Sequence, residues 1–102
     1  MKVLIIGYGS IGRRHDEVLS TFVGIESIDI VTKQTLKSRV TFPYLEKVEA
    51  LEAYDYFIIA SETYKHYEQL TYLELHVNDK LIFCEKPLFE TYRQLDISQN
   101  RV

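Results

Sequence analysis

A short apolar run, Val3-Leu4-Ile5-Ile6, ends on Gly7-Tyr8-Gly9-Ser10-Ile11-Gly12, and no other stretch restricts the fold of this chain as tightly. Glycines at this spacing acquire a mechanical meaning where a strand feeds a helix through a tight turn. Both flanks meet that condition. The apolar run before the glycines reads as a strand over residues 2–6, and residues 10–22 carry Ile11, Val18, Leu19 and Phe22 at helical intervals, which predicts that these four face the core. Gly7 permits the turn out of the strand, Gly9 lets backbone lie close to a pyrophosphate, and Gly12 lets the helix pack against the strand. The free N–H groups of a helix start, around Ser10 and Ile11, then meet the phosphates, and Tyr8 shares the same turn.

The rest of the chain alternates strand and helix patterns, which argues for an α/β fold with a parallel sheet. Gly24 is expected to stop the first helix, and strands are expected over residues 27–32 and 40–42. A helical turn or two over 46–52 follows, with Val48, Ala50 and Leu51 as its apolar residues. Residues 56–60 form a continuous apolar run, the pattern of a central strand buried on both faces. A helix over 64–76 and a turn at Asn78-Asp79 lead to a last strand over 81–84, ended by Glu85-Lys86-Pro87. Right-handed crossovers give a doubly wound Rossmann sheet of order 3-2-1-4-5. The nucleotide is then expected at the carboxyl ends of strands one and four, where the winding reverses.

Composition narrows the partners. At 102 residues the chain is expected to be one dinucleotide-binding domain, 1–102, small for an enzyme that must also hold a substrate. A net charge of -3, with both signs spread along the chain, supplies no basic stripe and argues against a nucleic-acid partner. The single cysteine, Cys84, excludes an internal disulfide and, inside an apolar strand, reads as a small buried hydrophobe. No apolar run is long enough for a bilayer, and the N-terminal run is broken at once by Gly7, Arg13 and Arg14, unlike a signal peptide. The expectation is a cytoplasmic protein with no membrane partner and no metal site.

The choice of nucleotide turns on the end of strand two. An acidic residue about 20 positions after the fingerprint ordinarily holds the ribose hydroxyls of NAD, and Asp29 is the candidate by distance. It lies in mid-strand between Ile28 and Ile30, however, whereas the strand ends on Thr32-Lys33. A hydroxyl followed by a cation suits a 2′-phosphate, with Lys37 and Arg39 close by in sequence, so the pattern leans to NADP with NAD as the alternative. Lys33 reads equally as a solvated loop lysine. Arg13 and Arg14 sit in the first helical turn, where an anion would relieve their opposition to the macrodipole; extension into water, or pairing with Asp16 and Glu17, is the preferred reading.

Three stretches together carry a family resemblance: Gly7 through His15, Ala60-Ser61-Glu62-Thr63-Tyr64-Lys65-His66, and Cys84-Glu85-Lys86-Pro87-Leu88. They resemble the N-terminal half of the Gfo/Idh/MocA oxidoreductases, named after glucose-fructose oxidoreductase and inositol dehydrogenase. The resemblance implies that Lys86, in a Glu-Lys-Pro signature, lies beside nicotinamide and substrate as the catalytic residue, with Glu85 and Pro87 among the cofactor contacts. A lysine there would polarise the reacting oxygen or relay its proton. The family's Thr-Pro-Asn after strand four is replaced by Ser61-Glu62-Thr63, whose Ser61 and Glu62 still occupy the strand end lining the nicotinamide side. His66 reads better as local packing or capping than as a ligand contact, and His15 as helix packing rather than catalysis.

What the resemblance implies for function is an NAD(P)-dependent oxidoreductase acting on a secondary alcohol of a sugar, cyclitol or nucleotide-linked sugar. Family members continue into a second domain that supplies the substrate pocket and much of the oligomer interface, so a homo-oligomeric parent is expected. Residues 96–102 lead toward that domain, and Asn100-Arg101-Val102 reads as the first step of a sixth strand. The expectation is a truncated N-terminal domain that binds cofactor without turning over substrate alone. The alternative is a stand-alone, non-catalytic dinucleotide-binding or redox-sensing module; another adenine-containing ligand is a weaker third possibility, since fold alone does not fix chemistry.

Overall fold

The computed structural model describes residues 1–86 and 99–102. Its elements run β1 (Lys2–Ile6), α1 (Ser10–Leu19), β2 (Ser27–Val31), β3 (Thr41–Phe42), β4 (Tyr56–Ile59), α2 (His66–His76) and β5 (Leu81–Cys84). The five strands form one parallel sheet of order β3-β2-β1-β4-β5, the doubly wound arrangement expected of the alternating pattern. Arg101 adds a single parallel bridge to Leu81 at the outer edge of β5, in line with a sixth strand beginning there. Pro87, Leu88 and the other residues of 87–98 lie outside the described residues.

At its centre, in β1 and β4, the sheet is buried on both faces. Along β1, Leu4 and Ile6 face one cluster with Phe57, Ile59, Leu70, Leu73 and Val77, while Val3 and Ile5 face another with Leu19, Ile28, Ile30 and Ile58. The alternation follows from the two-residue period of a strand whose two faces are both covered, and it explains why β1 and β4 read as continuous apolar runs. Asp79 closes the turn before β5 with φ +58°, a left-handed conformation that Asp tolerates because its short polar side chain bonds locally.

Several elements differ from expectation. The first helix ends at Leu19, not near residue 22, so Gly24 lies beyond it; Gly24 instead presents its carbonyl to the N-terminal ammonium at 2.8 Å. The buried side of α1 is Gly12, Asp16 and Leu19, and Ile11, Val18 and Phe22, expected inside, are each about half exposed. The reason lies in how the helix sits. Gly12 lets α1 lie against the turn that follows β1, and Asp16 takes a core position because it is satisfied by hydrogen bonds, which rotates the apolar stripe outward.

Residues 46–52 do not make a continuous helix. Two 3-10 turns, Leu45–Lys47 and Leu51–Ala53, set Leu45, Val48 and Leu51 into the core and leave Ala50 exposed. The helix expected from residue 64 begins as a 3-10 turn, Thr63–Lys65, and becomes α-helical at His66. Strand ends fell within a residue: β2 stops at Val31 and β3 starts at Thr41.

Candidate functional site

The residue after each of four strands is pinned to its neighbour. Gly7 N–H donates to Val31 O at 2.9 Å, Thr32 N–H to Phe42 O at 2.8 Å, Ala60 N–H to Ile6 O at 2.8 Å and Glu85 N–H to Ile59 O at 3.0 Å. The carboxyl edge of the sheet therefore carries the fingerprint turn, Thr32-Lys33, Ser61-Glu62 and Glu85-Lys86 on a common rigid rim.

The three fingerprint glycines divide their work. Gly7 has φ +100°, and a methyl group in place of its hydrogen would stand 2.7 Å from the Ser61 nitrogen, so this position requires glycine twice over. Gly12 is pressed against the carbonyl oxygen of Gly7, which fixes the start of α1 over the turn. Gly9 has nothing within 4 Å on its side-chain side. Its freedom is therefore not needed for packing, and the open space in front of it is a cradle that a ligand could fill. Gly9 is also the N-cap of α1, in extended conformation with no side-chain cap, and the first turn contains no acidic residue. The N–H groups of Ser10 and Ile11, on exposed residues, are thus left for an outside acceptor. These features fit a dinucleotide pyrophosphate.

A cleft of about 690 Å³ adjoins the turn, reaching from Gly7 across Thr32, Lys33 and Gln34 to Tyr44, Glu62 and Tyr64. Thr32 Oγ1 accepts the Gln34 N–H at 3.2 Å, shaping the loop, and Gln34 Nε2 donates to the Tyr8 carbonyl at 2.9 Å, tying that loop to the fingerprint. Lys33 lies over the Tyr44 ring, 5.1 Å from its centroid, and has no carboxylate partner among the described residues. Lys65, the other cation of the cleft, is paired with Glu62 at 3.0 Å. The Lys65 ammonium and its hydrogen bond hold the Glu62 carboxyl below its ordinary value.

Asp29 takes no part in the cleft. It accepts the Tyr54 hydroxyl at 2.6 Å on the face opposite α1, and burial together with that bond raises the Tyr54 phenol well above its ordinary value. Arg39, expected near a 2′-phosphate, is committed elsewhere: its guanidinium grips Asp16 Oδ1 at 2.7 and 3.1 Å. The Tyr8 hydroxyl donates to the other Asp16 oxygen at 2.8 Å, so the Tyr8 side chain braces α1. Arg13 stacks over Tyr8, 5.9 Å from the ring centroid, rather than pairing with Asp16.

On the far side of the turn, Ser61 donates its hydroxyl to Gln69 and receives the buried His66 Nε2–H on its carbonyl at 2.9 Å. His66 is thus occupied in shaping the loop after β4. Lys86 is exposed just past β5. Before it, Glu85 accepts the His15 Nε2–H at 2.6 Å, and Cys84 is half-buried with its thiol pushed up to about 11 by burial and then by the Glu85 charge. The sequence did not single out Gln34, Tyr44, Gln69 or the pairs Asp16–Arg39 and His15–Glu85, which join residues 23 and 70 positions apart. Among the described residues, no helix is long and apolar enough to cross a membrane.

The model of the GFO_IDH_MocA family, described as an oxidoreductase family with an NAD-binding Rossmann fold, matches residues 1–101. No curated protein and no solved structure matches the chain.

Proposed function

The chain belongs to the Gfo/Idh/MocA oxidoreductase family and forms its NAD-binding Rossmann domain, and from that premise we propose that it binds NADP in preference to NAD. Lys33 carries this reading. It stands at the carboxyl end of β2 with no carboxylate paired to it among the described residues, and Asp29, the acidic residue at the spacing expected of a ribose ligand, is spent on Tyr54. Adenosine would occupy the cleft between Lys33 and Glu62, so that Glu62, expected with Ser61 on the nicotinamide side, would instead line the adenosine side; the pyrophosphate would meet the N–H groups of Ser10 and Ile11 before Gly9, and nicotinamide would extend toward Ser61 and Glu85.

The bound dinucleotide would supply hydride exchange with a secondary alcohol of a sugar, cyclitol or nucleotide-linked sugar. Lys86 would hold the reacting oxygen and move its proton, as its place on the rim beside Glu85 allows. Pro87, counted with the cofactor contacts on resemblance, remains part of this proposal. In the oxidoreductase, Lys86→Met is expected to abolish turnover while changing dinucleotide affinity by less than about threefold. Equal loss of affinity and turnover would remove Lys86 from chemistry.

Calorimetric titration with NADP and with NAD at matched salt tests the cofactor reading. NADP is expected to bind more tightly, and Lys33→Ala to weaken NADP about tenfold and NAD less than about twofold. An unchanged preference in Lys33→Ala would refute the role of Lys33, and no binding of either nucleotide would refute the dinucleotide reading.

A further inference from the structure

His15, expected to pack within its helix, instead reaches out of α1 to the end of β5. It lies on α1 three residues after Gly12, and its imidazole donates to Glu85 Oε1 at 2.6 Å across 70 positions of sequence. Both side chains are 26% exposed, so the bond is partly shielded from water. Phe83 of β5 meets the imidazole edge-on, with centroids 5.4 Å apart, and fixes the ring from the strand side. Glu85 is the residue between β5 and Lys86, and its backbone N–H is already pinned to Ile59 O at 3.0 Å. The last anchored residue before Lys86 is therefore held twice: by its main chain to β4, and by its side chain to the helix that starts at the fingerprint.

We infer that His15 is a positioning residue for the nicotinamide half of the site. It ties α1, whose first turn would hold the pyrophosphate, to the Glu85-Lys86 segment, and so sets the distance between phosphates and nicotinamide end. The inference rests on the dinucleotide reading given above. Its specificity comes from location. The adenosine cleft is built by Thr32, Lys33, Gln34, Tyr44, Glu62 and Tyr64, none of which bonds to His15. Loss of the His15–Glu85 bond releases one half of the site and leaves the other in place.

The test compares NADP with 2′-phospho-ADP-ribose, which keeps adenosine, the 2′-phosphate, the pyrophosphate and the second ribose but has no nicotinamide, in calorimetric titrations of the wild-type chain, His15→Phe and His15→Gln. Phenylalanine keeps a ring against Phe83 and removes the donor; glutamine restores a donor. His15→Phe is expected to weaken NADP about tenfold and 2′-phospho-ADP-ribose less than about twofold, as loss of one hydrogen bond to a charged group allows. His15→Gln is expected to recover most of the NADP affinity. Equal weakening of both ligands would mean that His15 supports only the fold and would overturn the inference, as would unchanged NADP binding or failure of His15→Gln to restore it. If His15→Phe loses its helical circular dichroism, His15→Ala takes its place with the same expected split. A wild-type chain that binds neither ligand would overturn the dinucleotide reading itself, an outcome distinct from a wild type that binds both ligands and a variant that loses them equally.

Discussion

Asp16 is the one buried acidic side chain among the described residues, 6% exposed, and its neighbours determine whether α1 can sit where it does. Burial pushes its carboxyl up, but hydrogen bonds from Arg39 and Tyr8, with the Arg39 charge, outweigh burial and hold it below its ordinary value. A depressed folded value means that the stabilisation is complete above the ordinary carboxylate range and is lost as pH falls through the folded value. Arg39→Met would leave the carboxylate buried without its cation. A loss of about 3 kcal/mol in urea unfolding at pH 7 is expected, shrinking as pH falls through and below the ordinary carboxylate range and Asp16 takes up a proton that removes its need for Arg39. A loss that stays equal as pH falls would show that Arg39 acts by packing alone. The same network explains a failure of sequence reasoning. Arg39 reads as a phosphate ligand because it follows Lys33 closely, and nothing in a linear sequence announces that a carboxylate 23 positions earlier claims it. Asp29 was legible, since a mid-strand position between two isoleucines cannot reach a ribose at the strand end. Cys84 was legible in part, being half-buried rather than buried as expected: with its thiol raised to about 11 by burial and the Glu85 charge, alkylation of the folded chain at pH 8 is expected to run at least about tenfold slower than that of the urea-unfolded chain. Equal rates would place the thiol in open solvent.

The strand-turn-helix unit separates two roles that glycine plays. At Gly7 and Gly12 the fold itself forbids a side chain, through positive φ at the first and contact with main chain at both, whereas at Gly9 the space is open. Gly7→Ala and Gly12→Ala are therefore expected to lower the thermal midpoint, by about 2 kcal/mol or more in stability for strain that cannot be relaxed into backbone. Gly9→Ala is expected to leave the midpoint within about 0.5 kcal/mol equivalent and to weaken dinucleotide binding. Thermal unfolding monitored by circular dichroism, paired with calorimetry, distinguishes the two; a destabilised Gly9→Ala with normal affinity would reverse the assignment. The unit was legible because its spacing encodes contacts between near neighbours. The face of α1 was not. Ile11, Val18 and Phe22 follow a helical period, yet the helix buries Gly12, Asp16 and Leu19. Periodicity registers which stripe is apolar, while close approach at a glycine and a satisfied buried carboxylate decided which stripe turned inward.

At the scale of the molecule, one sheet serves as the shared wall of two cores. Adjacent residues of β4 feed opposite clusters, Phe57 and Ile59 into one and Ile58 into the other, and β1 divides its side chains in the same way. The strand order was legible because fully apolar runs alternating with helical patterns admit few parallel arrangements. The rim contacts were not, because they join residues whose only relation is that the sheet brings their ends level. The shared wall has a thermodynamic consequence. A gap on either face weakens strands that both faces need, so the cores cannot melt separately. Leu73→Ala, on the face covered by α2, and Ile30→Ala, on the face covered by α1, are each expected to cost about 2–5 kcal/mol. Both are expected to move a single transition in which far-ultraviolet circular dichroism and tyrosine fluorescence coincide. Since the rim residues hang from those same strands, dinucleotide is expected to raise the midpoint of either variant by the same mechanism, binding the folded state alone. Two separated transitions in the Ile30→Ala chain, with dinucleotide shifting only one, would show instead that the face under α1 melts as a unit of its own.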